Sequence, residues 1–235
     1  GMEGLAIQPD MLLPFMLAAR ARSIVLDRRL ESSQARPFFA EGIASSFEAY
    51  RDTRRNRQGF LDGLETTSST EDPRLSWYLD WIERTLPHHD PETANGHPKI
   101  NATVARTVDA WQNDDQVLIF CCYKETGRAL RREISAAIER SLIRSASHHL
   151  SMDPSDTSAI TKRIERTADN ILSVDSSARH QIEGDMGRLA RASGLKDEES
   201  AAFVGSVIRF LRTESFIVRF VFPHGTGIDA LTHAM

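Results

Sequence analysis

The sequence predicts a mainly α-helical fold built around one or two short β-strands. At least six segments place apolar residues three or four positions apart, the spacing of an amphipathic helix. One segment differs, because Val117 to Cys122 is an unbroken apolar run. Such a run is typical of a strand that is buried on both faces. An all-α fold is the alternative, in which the run finds no sheet and becomes helical.

The composition is that of an ordinary globular protein. The chain has 235 residues, of which 40% are hydrophobic and 26% charged, and its formal net charge is -4. A chain with this charge is not a basic nucleic-acid binder as a whole, so such a role needs a local basic patch. No apolar run has the length of a membrane span, and the N-terminal sequence has no signal-peptide layout. We therefore expect a cytoplasmic protein with no membrane partner.

Four helices and two irregular stretches are predicted before the apolar run. The irregular stretches are a linker rich in Gly, Ser and Thr at 58–73 and a proline-bounded loop from Pro87 to Pro98. The loop contains His88, His89, Asp90 and His97, but their spacing does not match known metal-ligand sets, and we expect no metal site. The helices are expected at Met11 to Leu30, Pro37 to Arg54, Arg74 to Leu86 and Pro98 to Trp111.

Helices also dominate the chain after the apolar run. The first follows directly and extends to about His149, and a break from Ser151 to Thr157 supplies Asp156 or Thr157 as the next cap. Phe216 to Phe222 is compatible with either helix or strand, and Pro223 begins a tail. The other helices are expected at Ser158 to Leu172, Ser176 to Ala192 with Gly194 as its stop, and Asp197 to Leu211.

The predicted organisation has five parts. They are an N-terminal helical segment at 2–57, the linker, a helix and strand-turn-helix region at 74–150, a helical segment at 151–222 and the tail at 223–235. The two cysteines, Cys121 and Cys122, are neighbours in the predicted strand, so their side chains point to opposite faces. We expect both to be buried, without a mutual disulfide or shared metal.

The region around the apolar run resembles a known family. The residues that carry the resemblance are Lys99, Val117 to Phe120, Tyr123, Glu125, Thr126, Ala129 and Leu130. In these positions the chain is similar to the opening of the second RecA-like domain in superfamily 2 helicases and their chromatin-remodeller-type relatives, where the strand is called motif IV. Two flanking segments resemble the same group more loosely, Ala40 to Tyr50 before this domain and Val207 to Phe220 as a helical insertion.

The motifs for ATP chemistry in this family are missing from the sequence. No G-x-x-x-x-G-K-[ST] loop occurs, and no D-E-x-H-type acidic run follows a strand. The resemblance therefore implies a middle section of a motor, with ATP and magnesium bound elsewhere in the complete parent protein. We expect no cofactor in this chain, and the chain alone should not hydrolyse ATP.

The resemblance implies a nucleic-acid-binding role. The chain would be a non-catalytic fragment or subunit of a helicase or translocase that contacts the backbone of single- or double-stranded DNA. The resemblance places Tyr123, Lys124 and Thr126, residue by residue, in the turn that contacts the nucleic-acid backbone in this family. A lysine and a hydroxyl at a helix start also suit a phosphate. The simpler interpretation is that Thr126 caps the helix while Tyr123 closes the core. Arg128 on the same helix could extend a basic surface or be solvated.

A second basic segment extends from Arg51 to Arg57. Arg54 and Arg55 in this segment are candidate phosphate contacts, although basic residues at a helix end are often simply solvated.

A helical protein–protein interaction module without nucleic-acid binding is the alternative function. The expected partners are the remaining helicase domains, in cis or in trans, or a second copy of the chain. A homodimer would form if Val117 to Cys122 pairs with the same strand of another copy rather than with Phe216 to Phe222.

Overall fold

The computed structural model describes residues 5, 7–29, 38–62, 73–87 and 96–234. The predicted linker at 58–73 is therefore described only at its edges, and His88, His89 and Asp90 lie outside the described residues. A short 3₁₀ turn, Pro9–Met11, precedes α1. The α-helices are α1 (Leu12–Arg29), α2 (Phe38–Ser45), α3 (Phe47–Asp62), α4 (Pro73–Thr85), α5 (Pro98–Gln112), α6 (Lys124–Leu150), α7 (Thr157–Ile171), α8 (Ser177–Ala192), α9 (Asp197–Leu211), α10 (Glu214–Phe216) and α11 (Ile228–Ala234).

The predicted mainly α-helical fold is confirmed, and the all-α alternative fits it. The described residues contain no β-strand, so the predicted short strands are not part of the fold. Val117 to Cys122 forms an irregular segment, and Phe216 to Phe222 is helical throughout. The chain divides into two compact units, Gly1–Ala137 and Ile138–Met235.

The core of the first unit lies among α1, α2, α3 and α4. Its apolar residues come from the helical spacing seen in the sequence, and each helix turns one such face inward. Tyr50 and Ile82 are fully buried at its centre, and burial raises the pKa of the Tyr50 phenol to about 12. The buried residues of this core are Ala18, Ala21, Ile43, Phe47, Tyr50, Leu79, Ile82 and Leu86.

The helix predicted from Pro37 to Arg54 is two helices that break at Ser46. Ser46 is fully buried, and its Oγ accepts a hydrogen bond of 3.0 Å from the Ala49 N–H in the first turn of α3. A serine in this role satisfies a donor that a helix start leaves open. The two helices approach closely, since a Cβ atom on Gly42 would lie 3.2 Å from the carbonyl oxygen of Ala49. Apolar spacing continues across the break, which is why the sequence pattern concealed it.

His97 caps α5 from inside the first unit and is 1% exposed. Its Nε2–H donates to the carbonyl oxygen of Ile43 at 2.8 Å, so Nδ1 is the acceptor of the Ile100 N–H. The ring also makes edge contacts with Phe15 and Phe47. One neutral imidazole therefore connects α1, α2, α3 and the start of α5. No described group of three or more His, Cys, Asp or Glu side chains is placed to hold a metal ion.

In the second unit, α7 and α11 pack against the helical segment from α10 to His224, and α8 packs against α9 and α11. Asp156 caps α7 and Ser176 caps α8, as polar residues before an apolar helical pattern predict. Ile217 to Val221 forms a π-helical turn with Ile217, Val218 and Val221 fully buried. The side chain of Arg212 bonds the carboxylate of Asp169 and the carbonyl oxygen of Leu172.

The C-terminal segment predicted to be a tail is partly ordered helix. Phe222–His224 forms a 3₁₀ turn, and α11 follows. Ala230 and Leu231 of α11 are buried, and this apolar contact is what orders the segment. Within the described ranges, no helix combines the length and apolar character that a membrane crossing requires.

The buried imidazole predicts a pH-dependent stability of the first unit. Burial lowers the pKa of His97 below its ordinary value of about 6.5, an effect reinforced by Lys99 and opposed by the bond to Ile43 and by Glu48. The unfolded chain therefore binds a proton at a higher pH than the folded chain. The free energy of unfolding should be unaffected by this group above about pH 6.5, and should fall as the pH drops from there to the lower folded pKa.

Tryptophan fluorescence can measure this effect selectively, because Trp77, Trp81 and Trp111 all lie in the first unit. Urea unfolding at several pH values should show a smaller loss of stability on acidification in a His97→Asn variant than in the wild type. An NMR titration of the imidazole should show it neutral at pH values where an ordinary histidine is half protonated. An imidazole that titrates at its ordinary pKa would contradict the prediction.

Candidate interaction surface

The candidate surface lies on the segment that joins α5 to α6. Helix α5 ends in a turn in which the Asp115 N–H donates to the carbonyl oxygen of Ala110 at 2.9 Å. Asp114 has a φ of 62°, a left-handed conformation that Asp tolerates better than most residues. Asn113–Asp115 therefore forms a turn, and it directs the chain out of the helix axis.

The apolar run after this turn is exposed, so its predicted burial on both faces is wrong. Phe120 is 88% exposed and Leu118 is 78% exposed, the two highest values among the large apolar side chains described. Cys121 and Cys122 are also exposed, which corrects the prediction that both are buried. Only Ile119 packs inward, against a small core of Ile100, Ala129 and Leu130.

The absence of a ladder explains why this segment is not a strand. A strand needs a neighbour to satisfy its N–H and C=O groups. The predicted neighbour, Phe216 to Phe222, is helical in the second unit. Among the described residues, no hydrogen bond joins the backbone of 117–122 to another group.

The start of α6 is fixed to the junction of α2 and α3. The Thr126 hydroxyl lies 2.9 Å from the Ser45 hydroxyl and 3.0 Å from that of Ser46, and Thr126 is 5% exposed. Buried hydroxyls are stabilised when they bond each other and costly when left unpaired. Thr126 therefore serves the fold, through the two serine hydroxyls and not through the helix cap that the simpler sequence interpretation predicted.

An ionic contact fixes a later turn of α6 to α3. Arg132 donates from Nη2 to Glu48 on α3 at 3.0 Å and to its own neighbour Glu133 at 3.1 Å. Both carboxylates are shielded from solvent, with side-chain exposures of 20% and 11%. A shielded pair is screened less by salt than an exposed one. This contact holds the third turn of α6 against α3.

The predicted nucleic-acid-binding residues at α6 have different environments. Tyr123 is half-buried, and burial raises the pKa of its phenol, with a further contribution from the Glu41 carboxylate and from Cys122. Lys124 is exposed at the first position of the helix. Arg128 is exposed but bonds Glu125 at 2.6 Å. The helix start thus presents Lys124 and Arg128 to solvent, while Thr126 faces the protein.

The other predicted pair lies on α3. Arg54 is 4.0 Å from Asp80 of α4, and Arg55 is exposed. The sequence did not single out Arg51, which donates to Glu83 at 3.2 Å and to the Pro87 carbonyl oxygen at 2.8 Å. Arg51 and Arg54 thus have acidic or carbonyl neighbours at α4, which favours a structural role for these two arginines.

A cavity of about 410 Å³ lies beneath the exposed segment. Its apolar wall is formed by Ile100, Ile119 and Leu130, and polar side chains at its lining include Glu41, Lys99 and Tyr123. The cavity is large enough for one or two bulky side chains or a small ligand. The segment therefore presents exposed apolar side chains directly beside a partly open apolar recess.

The sequence carries no signal for the exposure of the apolar run, but it does carry one for the helix start at Ser46. The apolar composition of the run concealed the exposure of Leu118 and Phe120, because no pattern in the chain shows whether a ladder partner exists. Ser45 and Ser46 carried a usable signal, since adjacent serines before an acidic first turn are typical of a helix start.

Comparisons with protein-family models, with curated proteins and with solved structures find no match to this chain.

Proposed function

We propose that the chain is a helical protein–protein interaction module whose contact surface is the segment 117–122. The observation that carries this proposal is the exposure of Leu118 and Phe120, at 78% and 88%, on a segment whose neighbours are well fixed. Exposed apolar patches that are rimmed by polar groups are typical of sites where proteins bind. Asp115 precedes the segment and Lys124 follows it, and both are exposed.

Addition of an extended polypeptide is the binding mode that suits this surface best. The unpaired backbone of 117–122 offers hydrogen bonds that any extended chain can complete, and the apolar side chains offer selectivity. The partner would be another protein with an exposed extended segment, and the homodimer expected from the sequence is one such case.

Peptide binding tests this proposal. A fluorescent peptide that alternates valine or phenylalanine with lysine should bind the wild-type chain, measured by fluorescence anisotropy. The double variant Leu118→Ser/Phe120→Ser should bind about a hundredfold more weakly or worse, because each lost apolar contact contributes roughly 1.5–3 kcal/mol when fully buried.

Two controls make the peptide result specific. The variant Phe203→Ser/Phe210→Ser removes exposed phenylalanines of α9 in the second unit and should leave peptide binding unchanged. A peptide of the same composition with a central proline should bind poorly, since proline cannot complete the ladder. Equal binding by all three chains would refute the proposed surface.

A helicase-derived nucleic-acid role is the second candidate, and one observation favours it. Lys124, Arg128 and Arg131 recur at helical spacing on α6, and all three are exposed. A stripe of cations on one helix face is the arrangement that contacts a phosphate backbone. In this alternative the chain is a non-catalytic subunit that contributes backbone contacts beside the remaining motor domains.

Salt-dependent DNA binding distinguishes this candidate from the first. A labelled single-stranded oligonucleotide should bind with an affinity that falls steeply with salt, and Lys124→Glu or Arg131→Glu should reduce the salt slope by about one per lost phosphate contact. Arg191→Glu changes an exposed arginine of the second unit and serves as the control. Absence of binding at low salt would exclude the nucleic-acid role.

A further inference from the structure

We infer that the partner of segment 117–122 is a second copy of the same chain, paired antiparallel about Ile119. This inference rests on the proposed function and specifies its partner and its register. The two copies would form a two-stranded ladder whose hydrogen bonds are made only in the dimer.

The length and boundaries of the segment select the midpoint of the pairing. The turn at Asn113–Asp115 ends before residue 116, and the carbonyl oxygen of Tyr123 accepts a hydrogen bond from the Gly127 N–H of α6. Residues 116–122 are therefore the part of the chain available for a ladder, and Ile119 is their central residue. Pairing about Ile119 uses the whole of this stretch in both copies.

Symmetry restricts the possible registers. A twofold axis that relates two antiparallel strands keeps each residue and its copy on the same face of the ladder. Residues that lie opposite each other also share a face, while successive residues alternate between the two faces. Two residues can therefore lie opposite each other only if their numbers differ by an even number. The midpoint must then fall on a residue rather than between two. Centred on Ile119, Leu118 lies opposite Phe120 of the second copy, and the same pair occurs again by symmetry. The two most exposed apolar side chains of the described residues would thus cover each other.

Charge complementarity supports this register over its neighbours. Centred on Ile119, the pairing uses all of 116–122, and Asp115 of one copy lies just beyond the ladder, beside Tyr123 and Lys124 of the other. A midpoint on Phe120 would instead pair only residues 118–122, because Lys124 and Glu125 already belong to α6. A midpoint on Leu118 would place Phe120 opposite the polar Gln116. Opposite charges at the ladder ends and apolar cross-strand pairs are stabilising, so Ile119 is the favoured centre.

Sedimentation velocity over a range of concentrations tests the association. The wild-type sedimentation coefficient should rise with concentration towards that of a dimer. Phe120→Asp should weaken the dimer by roughly a hundredfold, because both copies lose an apolar contact and gain a like charge. The control Phe210→Asp changes an exposed phenylalanine of the second unit and should behave as the wild type. Circular dichroism should show that both variants remain helical.

Crosslinking tests the register. In a Cys121→Ser/Cys122→Ser background, chains carrying Leu118→Cys are mixed with chains carrying Phe120→Cys and treated with a short thiol-specific crosslinker. Pairing about Ile119 predicts that the mixed dimer exceeds the two homodimers together. Equal amounts of mixed dimer and total homodimer would overturn the register.

The outcomes also separate this inference from the proposed function. A chain that binds the alternating peptide yet remains monomeric at all concentrations overturns self-pairing and leaves an interaction surface for a different protein. A chain that neither binds the peptide nor associates overturns both.

Discussion

The structure of the first unit depends on hydrogen bonds at the junction of α2 and α3. His97 donates to the Ile43 carbonyl oxygen and caps α5, while Thr126 bonds the hydroxyls of Ser45 and Ser46 near the start of α6. These bonds fix the beginnings of two helices to three residues, Ile43, Ser45 and Ser46, at the end of α2 and at its break. Each involves a buried polar group, and loss of either partner would leave the other unsatisfied at a cost of about 1–3 kcal/mol.

The exposed apolar segment is a consequence of this anchoring. Helix α5 ends at the Asn113–Asp115 turn and α6 must begin beside Ser45, so the intervening residues have to cross the surface of the unit. Ile119 reaches the small core at Ile100 and Leu130, and its neighbours Leu118 and Phe120 face solvent. A run that has the composition of a core strand therefore lies exposed on the surface of the first unit. The proposed binding role follows from this conflict, because exposed apolar groups with an unpaired backbone are stabilised by a partner.

Helical periodicity and capping residues were enough to predict most of the fold. Asp156, Ser176 and Gly194 mark helix ends that the structure reproduces, since these signals act within a few residues. The prediction of a strand at 117–122 was wrong for the opposite reason, because strand formation depends on a distant partner that local composition does not specify. The break at Ser46 and the structural role of Thr126 also depend on contacts between residues far apart in the sequence. The sequence located the candidate site at 117–122 but did not show that its apolar side chains are exposed.

The reactivity of Cys121 and Cys122 measures the exposure of segment 117–122 in solution. They are the only cysteines of the sequence, and they belong to the segment whose exposure carries the proposed function. In dilute native protein, where association is minimal, both thiols should react with an aromatic disulfide reagent about as fast as in urea-unfolded chain. If instead both thiols remain protected until the first unit unfolds, the segment is a buried strand and the account of an exposed interaction surface is contradicted.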